Sequence, residues 1–84
     1  MPHIEVRVAD GSGRPEYYAE VTAYKGGFWA GGTLGSEHTD RDGLCWFDLD
    51  LGAHDKVSFV ARSGGRRGES DEDYPRARVH LVLD

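Results

Sequence analysis

The stretch that decides the fold is Asp40-Arg41-Asp42-Gly43-Leu44-Cys45-Trp46-Phe47-Asp48-Leu49-Asp50-Leu51. Its first four residues are turn chemistry. Asp side chains hydrogen-bond their own backbone, and Gly takes positive φ without steric cost. From Leu44 to Leu51 the chain then alternates with period two, placing Cys45, Phe47, Leu49 and Leu51 on one face and Trp46, Asp48 and Asp50 on the other. Successive side chains of a strand point to opposite faces, so this is a strand with one face buried.

The same grammar extends in both directions. Ile4-Glu5-Val6-Arg7-Val8 alternates and stops at the turn-rich Ala9-Asp10-Gly11-Ser12-Gly13-Arg14-Pro15. Ala19 to Lys25 reads as a strand with Val21 and Ala23 on one side and Glu20, Thr22 and Tyr24 on the other. Residues 26–35 hold five glycines with Phe28, Trp29 and Leu34 among them. Each Gly costs a helix about 1 kcal/mol relative to Ala, so this segment is expected to be a loop or a short bulged edge strand. Thr33 to Thr39 reads as a short strand. Beyond the break at 52–55, Val57 to Ala61 is a strand with Val57, Phe59 and Ala61 inward, and Ser63-Gly64-Gly65 is a hairpin turn returning through Arg66 to Glu69. The last strand runs from Ala77 to Leu83, with Ala77, Val79, Leu81 and Leu83 inward and Arg78, His80 and Val82 outward. Short strands about ten residues apart, with turn signals between them, predict an all-β sandwich or barrel.

With 84 residues the chain has room for one domain, taken as residues 1–84, and a single core must hold it together. Charged residues make up 30% and the net charge is −5, with basic residues scattered among carboxylates. Nucleic-acid binders display a basic face, so nucleic acid is not an expected partner, and an anionic membrane surface is disfavoured for the same reason. There is no apolar run of signal-peptide or membrane-spanning length. The lone Cys45 cannot form an internal disulfide, which favours a reducing compartment. A soluble, acidic, cytoplasmic protein is expected if the chain is complete; for a piece of a longer protein the compartment is not fixed.

Thr39-Asp40-Arg41-Asp42-Gly43-Leu44-Cys45-Trp46-Phe47-Asp48-Leu49 resembles the T-D-x-x-G-x-x-x-F-x-L signature of prealbumin-like seven-stranded sandwiches, among them carboxypeptidase regulatory-like domains and Cna-B repeats of surface adhesins. The opening, Val6-Arg7-Val8-Ala9-Asp10-Gly11 followed by a Pro-bearing turn and a strand at Val21, fits the same layout. The resemblance implies that the Asp–Gly turn joins two strands and that Phe47 enters the core. It also implies a non-catalytic accessory role. Two properties of the wider group do not carry over. The chain has no Asn, its only lysines are Lys25 and Lys56, and the inward face of its first strand has no Lys, so no internal isopeptide bond is expected. It closes on Val79-His80-Leu81-Val82-Leu83-Asp84, unlike the Tyr-Arg-Gly-Ser ending of the hydroxyisourate hydrolases.

No constellation of catalytic or metal-binding residues stands out. His3 and His80 lie on the first and last strands and would meet only if those strands neighbour; a metal would need a third ligand. No metal or cofactor is expected. Asp40 and Asp42 echo a Ca²⁺ loop, but the position where such a loop needs a bidentate Glu is Leu51. Ser36 and His38 share a strand face and form the one hydrolase-like pair. Cys45 points inward, where a thiol is inert. The glycine-rich loop lacks the Gly-Lys-Ser/Thr ending of a phosphate loop. The acidic run Glu69 to Asp73 reads as a solvated loop, with a docking patch for a basic partner as the alternative.

The sequence therefore predicts an all-β, seven-stranded antiparallel Greek-key sandwich, prealbumin-like or immunoglobulin-like. Its expected core is Ile4, Val6, Val8, Val21, Cys45, Phe47, Leu49, Phe59, Val79, Leu81 and Leu83. The expected function is a non-catalytic accessory or protein-interaction module that binds a protein partner or itself, through the glycine-rich aromatic loop or an open sheet edge. Phe28, Trp29, Trp46, Tyr17, Tyr18 and Tyr24 are the candidate contact residues. A carbohydrate or small-ligand module built on Trp29, Trp46 and the tyrosines is the alternative, and a small hydrolase ranks last.

Overall fold

The computed structural model describes residues 3–26, 32–49, 51 and 54–84. Among them the chain forms seven strands and no helix: β1 (His3–Ala9), β2 (Glu20–Lys25), β3 (Thr33–His38), β4 (Leu44–Asp48), β5 (Val57–Ser63), β6 (Arg66–Glu69) and β7 (Arg78–Val82). They make two sheets, a three-stranded one in the order β4-β1-β7 and a four-stranded one in the order β3-β2-β5-β6. The protein is all-β, and its two sheets are compatible with a sandwich. Phe28 and Trp29 lie outside the described residues.

Period-two alternation places the core. Ile4, Val6 and Val8 of β1, Cys45 and Phe47 of β4 and Leu81 of β7 meet Val21 and Ala23 of β2 and Val57, Phe59 and Ala61 of β5 in one buried cluster. The rings of Phe47 and Phe59, one from each sheet, stand 5.4 Å apart in a tilted pair. Of the expected core only Val79 is less than fully buried, packed against the cluster's edge.

The Asp-led turns share one geometry. In Asp10–Arg14 and in Asp40–Leu44 the Asp Oδ1 accepts hydrogen bonds from the backbone N–H two and four residues on. Each Asp carbonyl accepts from the Gly three residues on, and those glycines, Gly13 and Gly43, have φ of 87° and 76°. Oδ1 of Asp40 is thus committed to its own turn. The β5–β6 hairpin closes through Gly64 and Gly65, both at positive φ, as a two-residue turn requires to match the strand twist.

Four expectations are corrected. β1 and β7 pair in parallel, from Glu5 opposite Arg78 to Ala9 opposite Val82, while every other ladder is antiparallel. Alternation sets which side chains face inward and carries no information on the direction of a neighbouring strand. Ala77 is exposed, because it precedes β7 and lies beyond the core; its carbonyl accepts from Glu5 N–H at 2.9 Å. On β5, Ser58 and Val60 are buried as well as Val57, Phe59 and Ala61. On that face Val60 lies between Thr22 of β2 and Glu69 of β6, and Ser58 lies beside Tyr24 with its hydroxyl donating to the Gly26 carbonyl. Tyr24 is half-buried rather than exposed, set between Thr33 of β3 and Ser58 of β5.

The two sides of the molecule close differently. Gly68 of β6 sits so close to β7 that an added Cβ would stand 2.3 Å from the Val82 carbonyl oxygen. Asp84 and Arg67 exchange two hydrogen bonds there, Asp84 N–H to the Arg67 carbonyl and Arg67 N–H to Asp84 Oδ1. β3 and β4, the edge strands of the other side, are neighbours without pairing into one sheet.

Candidate binding surface

Residues 16–18 form the turn between the first Asp loop and β2, and the fold grips this turn through Glu16 and Thr39. Glu16 N–H donates to the Val8 carbonyl at 3.0 Å, and the Glu16 carbonyl accepts from Thr39 Oγ1 at 2.6 Å. The Glu16 carboxylate accepts from Ser63 Oγ at 3.0 Å and pairs with Arg66 at 2.7 Å. Thr39, only 2% exposed, also accepts from Ala19 N–H at 2.8 Å. Its backbone binds Tyr18 N–H and the Ala19 carbonyl. β1, β5, β6 and the residue that follows β3 therefore all hold this one turn.

The grip displays aromatic surface. Tyr17 is 61% and Tyr18 65% exposed, large values for side chains that gain by burial. The Tyr18 backbone is left-handed, with φ of 59°, a conformation that bulky residues rarely adopt and that persists where the surroundings over-determine it. Its ring stacks on His38 of β3, centroids 4.3 Å apart and planes 18° from parallel, and Tyr17 lies 6.0 Å away at 54°. The result is a ridge of three rings at one end of the molecule.

The structure separates the other candidates from this ridge. Trp46 is 43% exposed on the outer face of β4, opposite Glu5 in register and with Asp48 beside it on the same face. Ser36 shares its hydroxyl with Thr22 Oγ1 at 3.0 Å, and the ring of His38 stacks on Tyr18, so each member of the hydrolase-like pair has a partner of its own. His3 and His80 lie on paired strands, but His80 is in register with Arg7, four residues from His3, roughly 13 Å at strand rise. His3 instead contacts Asp48 at 2.5 Å. Among the described residues no three His, Cys, Asp or Glu side chains converge as a metal set would. Cys45 is buried, and its thiol is pushed up to about 12, mainly by desolvation and further by the charges of Glu37 and Asp40. Within the acidic run, Glu69 pairs with Arg67, and Asp73 pairs with Arg76 while its backbone bridges to Val57; Asp71 and Glu72 are exposed. Asp73 is held below the usual carboxylate range, first by the Tyr74 N–H and then by Arg76.

No protein-family model matches the chain, and no curated protein is similar to it in sequence. The surface must be read from its own chemistry.

Sequence reasoning picked out Tyr17 and Tyr18 as exposed rings. It missed His38 as their third member, and it missed Glu16 and Thr39 as the residues that fix them. Thr39 opens the strand-turn signature, and a hydroxyl at such a junction is a usable signal. Glu16 gave none, because its partners at residues 8, 39, 63 and 66 come together only in the fold.

Proposed function

We propose that the domain is a non-catalytic accessory or protein-interaction module that offers Tyr17, Tyr18 and His38 to a protein partner. The observation that carries this reading is the pair of tyrosines, 61% and 65% exposed, on a turn gripped by buried Thr39 and by Glu16. A rigid amphipathic ring binds with little loss of side-chain freedom, and preset geometry removes much of the ordering cost of association. Tyrosines of this kind are enriched at the centres of protein interfaces.

The prealbumin-like half of the fold expectation fits this role. An immunoglobulin constant-type sandwich puts its first and second strands in one sheet. Here β1 and β2 fall in different sheets, which favours the prealbumin-like reading over the immunoglobulin-like one. The register of Trp46 beside Glu5, with Asp48 on the same face, supports a second reading, a carbohydrate site in which the indole stacks on a sugar and the carboxylates take its hydroxyls.

The test uses the wild type, Tyr17→Ser/Tyr18→Asn and Trp46→Ala, each immobilised and exposed to an extract of the source cells. Asn tolerates the left-handed backbone at position 18, so the double variant keeps the turn. The proposal expects a partner retained by the wild type and by Trp46→Ala and lost with the double variant. Retention unchanged in the double variant, or no partner retained by the wild type, overturns it. Light scattering over a concentration series distinguishes a second copy from a different protein. Saturable quenching of Trp fluorescence by a glycan, absent in Trp46→Ala, would establish the carbohydrate reading instead.

A further inference from the structure

The side closed by β6 and β7 is tight only at one end. Past Gly68 the chain leaves β6, and residues 70–73 continue along β5: Ser70 N–H donates to the Phe59 carbonyl at 2.9 Å, and Asp73 exchanges two backbone bonds with Val57. β7 does not follow them. A groove of about 290 Å³ opens between this segment and the first half of β7, with Phe59 and Val79 among its apolar lining and Tyr74, Arg76, Arg78 and His80 around it.

The groove exposes main chain as well as side chains. In the parallel β1–β7 ladder Glu5 N–H donates to the Ala77 carbonyl, and Glu5 is in register with Arg78. Alternate residues of a paired strand turn their backbone groups toward the partner, so those of Arg78 and His80 face away from β1. At Val82, the next residue of that set, the outward carbonyl is met by Gly68. At Arg78 and His80 β6 has already ended, and their N–H and C=O groups line an open edge. Donors and acceptors at strand spacing select an extended chain over a compact small molecule.

The charges say which chain. The Arg78 side chain is 85% exposed, and its partner is the Glu5 carboxylate at 3.7 Å, beyond hydrogen-bonding length. Arg76 is aimed by Asp73, whose other oxygen accepts from Tyr74 N–H. Ser70 Oγ accepts from Phe59 N–H, which leaves its own hydrogen to donate. Asp71, also lining the groove, opposes a second negative charge. We propose that this groove binds an extended peptide segment by strand addition to the Arg78–His80 edge, with an apolar side chain over Val79 and the exposed Tyr74 and one acidic side chain beside Arg78 and Arg76.

The site is separate from the tyrosine ridge, and its test does not depend on that reading. The probe is the N-acetylated, C-amidated peptide Ser-Val-Asp-Val-Ser, titrated into ¹⁵N-labelled protein. Its controls are the same peptide with Lys in place of Asp and a version N-methylated at both valines and at Asp, which removes the cross-strand donors for either strand direction. The proposal expects saturable shifts at the Arg78 and His80 amides with slowed hydrogen exchange there. Affinity should fall at least tenfold in Arg76→Ala/Arg78→Ala and weaken with added salt. Tyr17→Ser/Tyr18→Asn should bind the peptide as the wild type does. Absent or unsaturable shifts overturn the site. Equal binding of the Lys peptide overturns the charge assignment, and equal binding of the N-methylated peptide overturns strand addition.

Discussion

Thr39 is a small residue with a large structural task. Its hydroxyl donates to the Glu16 carbonyl and accepts from Ala19 N–H in a site shut off from solvent. Thr39→Val keeps the shape and strands both backbone groups, and an unsatisfied buried polar group costs about 1–3 kcal/mol. The expected result is a loss of unfolding free energy of that size, read as a lower urea midpoint at unchanged slope. Cys45 makes the opposite point about buried chemistry. Its thiol is raised from its ordinary 9.0 to about 12, mainly by desolvation. Between those values the unfolded chain loses this proton and the native one keeps it. The stabilising contribution is therefore complete below pH 9 and is lost as pH rises toward 12. A thiol reagent at pH 8 should leave native protein unmodified and label it fully in urea. Cys45→Ala should lose stability less steeply than the wild type over the alkaline range.

At the scale of elements, the β6–β7 seam depends on a missing side chain. A Cβ on Gly68 would meet the Val82 carbonyl oxygen at 2.3 Å and its carbon at 2.8 Å, and neither atom belongs to a flexible side chain. Gly68→Ala must push β6 from β7, and overpacking of this kind costs about 1–3 kcal/mol. Thermal unfolding should show the loss, and hydrogen exchange should speed up at Arg67 and Asp84, whose amides bond across the seam. The strands themselves were legible in the sequence. Leu44 to Phe47 and Ile4 to Val8 alternate cleanly because each buries one face, and both Asp-Gly turns announced their ends. Pairing was not legible in the same way. The parallel partnership of β1 with β7 follows from the return path of residues 70–78, and no local pattern encodes that path. Ser58 and Val60 escaped for a related reason: which side chains flank a residue across the ladder is a property of the sheet, and here Thr22, Tyr24 and Glu69 flank these two.

Across the whole molecule, the core joins the sheets through few large side chains. Phe47 and Phe59 pack as a tilted pair across the interior, and most of the remaining core is Val, Ala, Ile and Leu. Phe47→Ala should cost about 3–5 kcal/mol, a large share of what holds a domain this small. Calorimetry or urea unfolding reads it, and a loss under 1 kcal/mol would mean that Phe47 is not in the core. Of the binding surface, the tyrosines were legible as excess aromatic residues beside a turn, and Trp46 as the outward residue of an alternating strand. Tyr24 misled, because an outward position on an inner strand is half-covered by its neighbours. The Glu16 and Thr39 contacts could not be read, since they join residues 8 to 66 through three dimensions.

The central claim is that the fold fixes the Tyr17–Tyr18 turn before any partner arrives. ¹⁵N relaxation of the free protein tests it most directly. The account predicts backbone order parameters at residues 16–18 equal to those of the strands, about 0.85, and a clear drop in Thr39→Val. Values at Tyr17 and Tyr18 below about 0.6 in the wild type would contradict it, because the ridge would then be a mobile loop and not a preset surface.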